Sequence, residues 1–282
     1  MTAATPHRWR TPDGLTLAGD SMGPPGAPAV VLLHGGGQTR HSWSAAMRSL
    51  AALGHYVVSY DARGHGDSDW SPAGSYGMPA LAADLGCVLA GIPGPVALVG
   101  ASLGGLTAFY AIGSGRGRVA DALVLADVVP RPTAHGSGRV RAFMSGHRDG
   151  FASLDEAAAA IAAFNPGRRR PPSHEGLRRN LRLRADGRYH WHYDPRVVEQ
   201  QTPDRADLLL GVSAGVRVPL LLVRGERSDV IDDAGVEELR RHVPHLEVRT
   251  LRGAGHMVTG DHNDTFLHGV ADFLDRHLVS AG

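Results

Sequence analysis

Short apolar segments alternate with helical segments along most of this 282-residue chain. The clearest apolar segments are AVVLLHG, YVVSY, VALVG, ALVLADVV and VPLLLV, and each carries too few polar residues for a strand with one face in water. Strands that are apolar throughout are typical of a parallel sheet covered on both faces, and the helices between them supply the cover. The sequence therefore predicts an α/β fold with a mostly parallel sheet.

The alternation stops after Pro130 and resumes near Val216. The interruption contains one clear helical segment, LDEAAAAIAAF, and no strong strand signal. An insertion between two strands of an open sheet is expected to lie over the carboxyl ends of the strands, where ligands bind in such folds. We therefore predict a core formed by residues 1–130 and 216–282, and an inserted helical cap formed by residues 131–215.

Composition and charge exclude several classes of protein. Hydrophobic residues make up 43% and charged residues 20%, as in ordinary globular proteins, and the net charge of +1 gives no nucleic-acid footprint. The single cysteine, Cys87, excludes an intrachain disulfide. No segment approaches the ~18 apolar residues needed to cross a bilayer, and the first residues lack the apolar core of a signal peptide. We expect a cytoplasmic protein that binds a small-molecule substrate; the sequence does not indicate its oligomeric state.

Ser102 lies in the pentapeptide GASLG, between the strand segment VALVG and a helical segment. Gly-x-Ser-x-Gly between a strand and a helix is typical of a nucleophile elbow, in which the glycines make room for a sharp turn. A glycine-rich phosphate loop is the alternative, but the Walker lysine and the Gly-x-Gly-x-x-Gly register are both missing. The segment GVSAG, residues 211–215, has the same pattern but precedes a strand, so we interpret Ser213 as part of a linker.

A serine nucleophile needs a histidine base that is held by a carboxylate. His256, in RGAGHMV, follows the last predicted strand and is expected at the same sheet edge as Ser102. Asp229, in RGERSDV, follows the strand VPLLLV, and the order Ser, Asp, His is typical of such triads. Glu226 and Asp127 are the rival carboxylates. We predict that Asp229 holds His256.

Two backbone N–H groups are expected to form an oxyanion hole. One belongs to Leu103, the residue after the nucleophile, and the second to the loop after an earlier strand. LLHGGGQ is that loop, and Gly36 is the candidate donor. A flexible glycine turn is the alternative interpretation.

The substrate pocket is expected to involve three aromatic residues, Trp43, Trp191 and Tyr193. Core packing accounts equally well for Trp43, and packing of the cap on the core is the safer account of Trp191 and Tyr193. His190 and His192 have a spacing that binds metals elsewhere, but no third ligand is evident, so we predict no metal. Eight arginines lie between Arg168 and Arg188. A solvated helix face is the simplest interpretation of these arginines, and attraction of an anionic substrate is the alternative.

The motifs HGGGQTRHSW, YDARGHGDSD, GASLGG, VRGERSDV and GAGHM, taken in order, resemble those of the alpha/beta-hydrolase family. The resemblance runs from Val30 to about Leu278, and within the family the chain is similar to capped esterases, lactonases and cofactor-free haloperoxidases. Epoxide hydrolases share the layout but use an aspartate nucleophile, which Ser102 argues against. The resemblance implies an alpha/beta-hydrolase fold, a Ser102–Asp229–His256 triad, and no cofactor. The segment DARGHGDSD is interpreted as a structural loop in which Arg63 pairs with a carboxylate.

These inferences favour a serine hydrolase that cleaves a carboxylic ester, thioester or lactone through an acyl-serine intermediate. The same triad also supports carbon–carbon bond hydrolysis, acyl transfer or perhydrolysis. A non-catalytic ligand receptor on the same fold is the alternative of a different class.

Overall fold

The computed structural model describes residues 3–115, 119–165, 174–199, 204–258 and 263–278, in which one large sheet is flanked by helices. The strands are β1 (Thr5–Arg10), β2 (Thr16–Met22), β3 (Ala29–Leu33), β4 (Tyr56–Tyr60), β5 (Val96–Ala101), β6 (Ala122–Ala126), β7 (Leu181–Leu183), β8 (Tyr189–Trp191), β9 (Leu220–Gly225) and β10 (Leu246–Leu251). The helices are α1 (Ser44–Ala52), α2 (Met78–Leu89), α3 (Leu103–Gly113), α4 (Ala134–Ser145), α5 (Leu154–Phe164), α6 (Glu175–Arg178), α7 (Arg196–Glu199), α8 (Arg205–Gly211), α9 (Asp233–His242) and α10 (Asn263–His277).

The large sheet has eight strands in the order β1-β2-β4-β3-β5-β6-β9-β10. All pairings from β4 to β10 are parallel, and β1 and β2 join one edge in antiparallel orientation. Every residue of β3 and β6 is buried, as expected for strands covered on both faces. The predicted α/β class with a mostly parallel sheet is confirmed. The edge strand β1 is largely exposed, so its sequence lacks the apolar run that marked the other strands.

Helices cover both faces of the sheet. On one face, Leu85 of α2, Phe109 of α3 and Leu239 of α9 are fully buried in the larger apolar cluster. On the other face, Leu50 of α1 and Phe273 of α10 belong to a second cluster. None of the helices in the described part of the chain has the length and apolar character needed to span a lipid bilayer.

The parallel strands bring distant parts of the chain to one edge of the sheet. The carboxyl ends of β3, β5, β6, β9 and β10 point the same way because these strands are parallel. The residues that follow them are therefore gathered at that edge, which is where open α/β sheets bind ligands. The candidate site is built there.

The chain between β6 and β9 differs in one respect from the expected helical cap, which showed no strong strand signal. It contains α4 to α8, but β7 and β8 also form an antiparallel hairpin. The turn includes Asp186 and Gly187, and Gly187 has a φ of +76°, a conformation that glycine adopts at little cost. The hairpin was missed because three-residue strands are too short to show an alternating pattern. The Asp-Gly pair was the available signal.

Candidate active site

Ser102 lies in a strained turn between β5 and α3. Its φ is 45° and its ψ is −115°, which is a costly conformation for a residue with a side chain. The neighbouring glycines make this turn sterically possible: a Cβ on Gly105 would lie 2.7 Å from the carbonyl oxygen of Gly100. Strand and helix therefore touch through backbone atoms, and the serine is held directly before the N-terminus of α3.

His256 is bonded to Asp127. Its Nδ1 donates to Asp127 Oδ2 at 2.7 Å, which leaves Nε2 free to accept a proton. Asp127 is completely buried and has a φ of 48°. It also accepts hydrogen bonds from the Gly225 N–H at 2.8 Å and the Ser228 hydroxyl at 2.5 Å. These three hydrogen bonds compensate the buried carboxylate for the hydration that it loses.

Asp229, the predicted partner of His256, is bonded elsewhere. Arg139 of α4 binds both of its carboxylate oxygens, with Nε 2.6 Å from Oδ2 and Nη2 2.9 Å from Oδ1. These bonds from Arg139 hold the pKa of the Asp229 carboxyl below its usual value. The predicted Asp229–His256 pair is therefore wrong, and the rival Asp127 contacts the imidazole. Both aspartates follow strands at the same edge, and the guanidinium of Arg139 engages one of them.

Ser102 and His256 line the same cavity, as predicted from the sequence. No hydrogen bond joins their side chains in the described residues. In serine–histidine sites without substrate this bond is often long and tightens only in the complex. Ser102, His256 and Asp127 thus lie after the ends of β5, β10 and β6.

The two predicted oxyanion donors are neighbours. A Cβ on Gly36 would lie 3.9 Å from Leu103 Cβ, and Gly36 itself lines the cavity. Leu103 is the first residue of α3, so its N–H has no partner inside the helix. Within the described residues, the Gly36 N–H also meets no acceptor. Two backbone donors are therefore available beside Ser102.

Two buried histidines hold the glycine loop that carries Gly36. His65 Nε2 accepts from the Gly37 N–H at 3.2 Å, and His65 Nδ1 lies 3.2 Å from the carbonyl oxygen of Arg63. His34 Nδ1 lies 2.8 Å from the Gly35 carbonyl oxygen, and its Nε2 accepts from the Ala62 N–H at 3.0 Å. Each ring therefore carries its proton on Nδ1 and is neutral. Burial lowers the pKa of His34, and it lowers that of His65 to about 3. The sequence analysis did not identify either histidine.

The cavity has a volume of about 150 Å³ and lies between the sheet edge and the inserted segment. Trp191 and Tyr193 line it, as the sequence analysis expected, and the ring of Phe143 stacks on that of Phe164 at 4.2 Å in its wall. The apolar wall comes mainly from the insertion: Val140, Phe143, Met144, Ile161, Phe164, Trp191 and Tyr193. Among the lining residues of the described chain, His256 carries the one imidazole.

Trp43, the third predicted pocket residue, is absent from the cavity wall. Its side chain is 1% exposed and packs 6.0 Å from the ring of Phe266, in the apolar cluster under α1 and α10. Trp43 directly precedes α1, so the helix carries its ring into the core on that face of the sheet. The core-packing interpretation is therefore the correct one.

The described arginines from Arg178 to Arg188, and Arg63 of the DARGHGDSD loop, are absent from the cavity wall. Arg168 to Arg170 fall outside the described residues, Arg182 is 58% exposed, and Arg188 donates to the Gly150 carbonyl oxygen at 2.9 Å. Arg63 is 2% exposed and binds carboxylates, as expected: its Nε and Nη2 are 2.6 Å from the oxygens of Asp84, and Nη1 is 2.9 Å from Asp13. Arg63 is thus a structural anchor.

Known proteins share both the sequence pattern and the fold. A family model described as the alpha/beta hydrolase fold matches residues 28–262. Esterase Rv0045c of Mycobacterium tuberculosis (strain ATCC 25618 / H37Rv) is 33% identical over 258 residues, which cover 88% of this chain and 83% of the relative. A crystal structure of that esterase aligns with a TM-score of 0.77 at 28% identity, covering 98% of this chain and 93% of the other.

Two further similarities extend this comparison. The sn-1-specific diacylglycerol lipase ABHD11 of Mus musculus is 30% identical over 265 residues, which cover 88% of this chain and 81% of the lipase. The crystal structure of E-2-(Acetamidomethylene)succinate Hydrolase has a TM-score of 0.83 at 23% identity, covering 97% of this chain and 100% of the other. At that identity the second similarity concerns the fold alone.

Proposed function

This chain belongs to the alpha/beta-hydrolase family, and from that premise we propose that it hydrolyses carboxylic esters through an acyl-serine intermediate. Ser102 is the nucleophile, His256 the general base and Asp127 the carboxylate that orients the imidazole. The observation that carries the proposal is the 2.7 Å bond from His256 to Asp127, at the cavity that Ser102 also lines. The esterase and lipase relatives support an ester as the substrate.

The first half-reaction transfers the acyl group to the enzyme. Ser102 Oγ attacks the ester carbonyl carbon while His256 Nε2 accepts the hydroxyl proton. The tetrahedral intermediate collapses, the bond to the leaving alcohol breaks, and the imidazolium returns its proton to the departing oxygen. The products of this step are a free alcohol and the acylated serine.

The second half-reaction releases the acid. A water molecule, deprotonated by His256, attacks the acyl carbonyl carbon, and the bond to Ser102 Oγ breaks as that oxygen regains the proton. In both halves Asp127 fixes the imidazole with Nδ1 as donor and stabilises the transient imidazolium. The N–H groups of Gly36 and Leu103 bind the oxyanion, and in related sites one such donor contributes about 2.7–4 kcal/mol to the transition state.

The division of the chain is part of the same proposal. Residues 1–130 and 216–282 form the hydrolase core that carries every reacting group. Residues 131–215 form a cap that supplies the apolar wall for the acyl group. The substrate is thereby a small molecule whose reacting carbonyl is covered on one side by the cap.

Ser102→Ala tests the proposal. We expect turnover of p-nitrophenyl butyrate to fall by at least about 10³-fold, because no other group can form the acyl intermediate. Labelling by a serine-directed fluorophosphonate should disappear in the same variant.

Ser213→Ala is the matched control, since Ser213 lies in the chain's second Gly-x-Ser-x-Gly segment. Its hydroxyl donates to the Leu210 carbonyl oxygen at 2.6 Å and the residue is 3% exposed, away from the cavity. This control should keep both activity and labelling. Unchanged ester turnover in Ser102→Ala would refute the acyl-serine mechanism.

A further inference from the structure

The ion pair between Arg139 and Asp229 joins the insertion to the sheet edge beside the site. We propose that this pair braces the acyl-binding wall, so that Arg139 and Asp229 are positioning residues that determine which acyl groups bind. The inference rests on the proposed ester hydrolysis and adds a specificity device to it.

The geometry of the pair is that of a fixed joint. Arg139 projects from α4, and Asp229 lies in the loop after β9. Two parallel N–H to O bonds of 2.6 and 2.9 Å connect them, and a planar two-point contact of this kind restricts rotation as well as distance. The side chains are 31% and 33% exposed, so water weakens the pair's net contribution to stability. Orientation of the wall is therefore the better account of the pair.

Arg139 also reaches the end of α5. Its Nη1 donates to the Phe164 carbonyl oxygen at 2.8 Å, and its guanidinium carbon lies 4.3 Å from the centre of the Phe164 ring. Phe164 stacks on Phe143 of α4, and both rings line the cavity, as does Val140, the residue after Arg139. One guanidinium thus holds two helices of the wall at a fixed distance from each other and from the sheet.

The same loop is joined to the start of α4 by a second set of contacts. The Thr133 N–H donates to the Val230 carbonyl oxygen at 2.9 Å, and the Thr133 hydroxyl donates to the Asp229 carbonyl oxygen at 2.5 Å. Gly136 lies against the backbone of Asp229 so closely that a Cβ there would collide with it. These contacts hold the helix start in place when the ion pair is removed. Loss of the pair is thus expected to loosen the wall without detaching it.

The proposal predicts a loss that depends on the acyl group. A cavity of about 150 Å³ is large enough for a benzene-sized group, so we expect a hexanoyl chain to contact more of the wall than an acetyl group does. In Arg139→Met and in Asp229→Asn we expect KM for p-nitrophenyl hexanoate to rise about tenfold, with kcat within about threefold of wild type. Both kinetic constants for p-nitrophenyl acetate should change by less than about threefold.

The double variant and a matched control complete the experiment. Arg139→Met combined with Asp229→Asn should be no worse than either single change, because both remove the same contact. Arg139→Lys, which keeps the charge but loses the two-point contact, should recover only part of the selectivity. Arg131→Met is the control: Arg131 binds Asp207 and Glu238 on the surface near the start of the insertion, and its loss should leave both esters unaffected.

Two results would overturn the inference. One is equal loss on acetate and hexanoate with intact thermal unfolding and fluorophosphonate labelling, because a loosened wall acts on the longer acyl group. The other is a fall in kcat for Asp229→Asn as large as that for Asp127→Asn, which would make Asp229 the working carboxylate. Neither result removes the acyl-serine mechanism, since that is tested separately by Ser102→Ala.

Discussion

The proposed proton transfers between Ser102 and His256 depend on a third residue, Asp127. It is completely buried, and its two oxygens receive hydrogen bonds from Gly225, Ser228 and His256. Its positive φ turns the chain directly at the end of β6, and it brings the carboxylate under the imidazole. The price of that backbone conformation is of order 1–3 kcal/mol, which the three donors offset.

Asp127→Asn should lower kcat for a p-nitrophenyl ester by about 10⁴-fold. An amide offers the imidazole an N–H as well as a carbonyl, so the ring loses the tautomer that leaves Nε2 free, and the imidazolium loses its counter-charge. Steady-state kinetics with Asp229→Asn measured in parallel check this. A kcat within tenfold of wild type would show that His256 works without Asp127.

The sequence predicted some of these residues and missed others for a physical reason. Ser102 and His256 are marked locally, by the glycines around one and the loop position of the other. Asp127 and Asp229 both follow apolar strands, so chain order cannot say which one the imidazole meets. That choice depends on Arg139, which is 90 residues away from Asp229 in sequence. Local sequence patterns give no information about contacts between residues so far apart in the chain.

At the scale of elements, the contact between β5 and α3 positions Ser102, the proposed nucleophile. A Cβ on Gly105 would lie 2.7 Å from both the Gly100 carbonyl oxygen and Val128 Cγ1. The first of these is a backbone atom of a buried residue two positions before Ser102, so it cannot move without moving Ser102. Close approach of the two elements is therefore a condition for the elbow.

Gly105→Ala should destabilise the fold by roughly 1–3 kcal/mol through this overlap, and should reduce esterase activity beyond the loss of folded protein. Gly86→Ala in α2 is the matched control, because a Cβ there meets nothing within 4 Å. Replacing an exposed helical glycine should stabilise the protein by roughly 0.5–1 kcal/mol. Urea unfolding and activity per folded molecule provide the two measurements, and equal stability of both variants would argue against the overlap.

Elements were predictable where their patterns were long and apolar. The buried strands β3, β5, β6 and β9 each gave a continuous apolar run, and tertiary packing agreed with it. The edge strand β1 and the hairpin of β7 and β8 gave none, because most of their residues face water or belong to very short strands. The fold class could therefore be predicted from the buried strands, whereas the edge strand and the hairpin were found only in the structure.

At the scale of the whole molecule, buried neutral histidines make folding sensitive to acid. Burial lowers the pKa of His65 to about 3 and lowers that of His34 below its usual 6.5, and their mutual repulsion when charged adds to the effect on His65. His192 also lowers the pKa of His65, while Asp194 opposes the shift. The unfolded chain therefore binds more protons than the folded one below pH ~6.5. The stabilisation that these neutral histidines contribute is full above that pH. The contribution of His65 is lost as the pH falls towards about 3.

Between pH 7.5 and 5.0 we expect His65 to lower the free energy of unfolding by up to about 2 kcal/mol, and His34 to lower it further. In His65→Gln the side-chain carbonyl can still accept from the Gly37 N–H. The contribution of this residue to the pH dependence of the free energy of unfolding is removed. Urea unfolding of both proteins at the two pH values checks the difference. Identical pH slopes would mean that His65 is not held neutral by the fold.

The origin of the cavity walls has a consequence for how such an enzyme changes over evolutionary time. Every group to which we assign a proton transfer or the developing charge lies at the sheet edge, whereas the apolar wall of the cavity comes mostly from α4, α5 and the β7–β8 hairpin. Substitutions confined to residues 134–164 can reshape the acyl site while leaving the reacting atoms where they are. With the proposed roles, chemistry and choice of substrate are encoded in separate stretches of this chain, and selection can act on the second without disturbing the first.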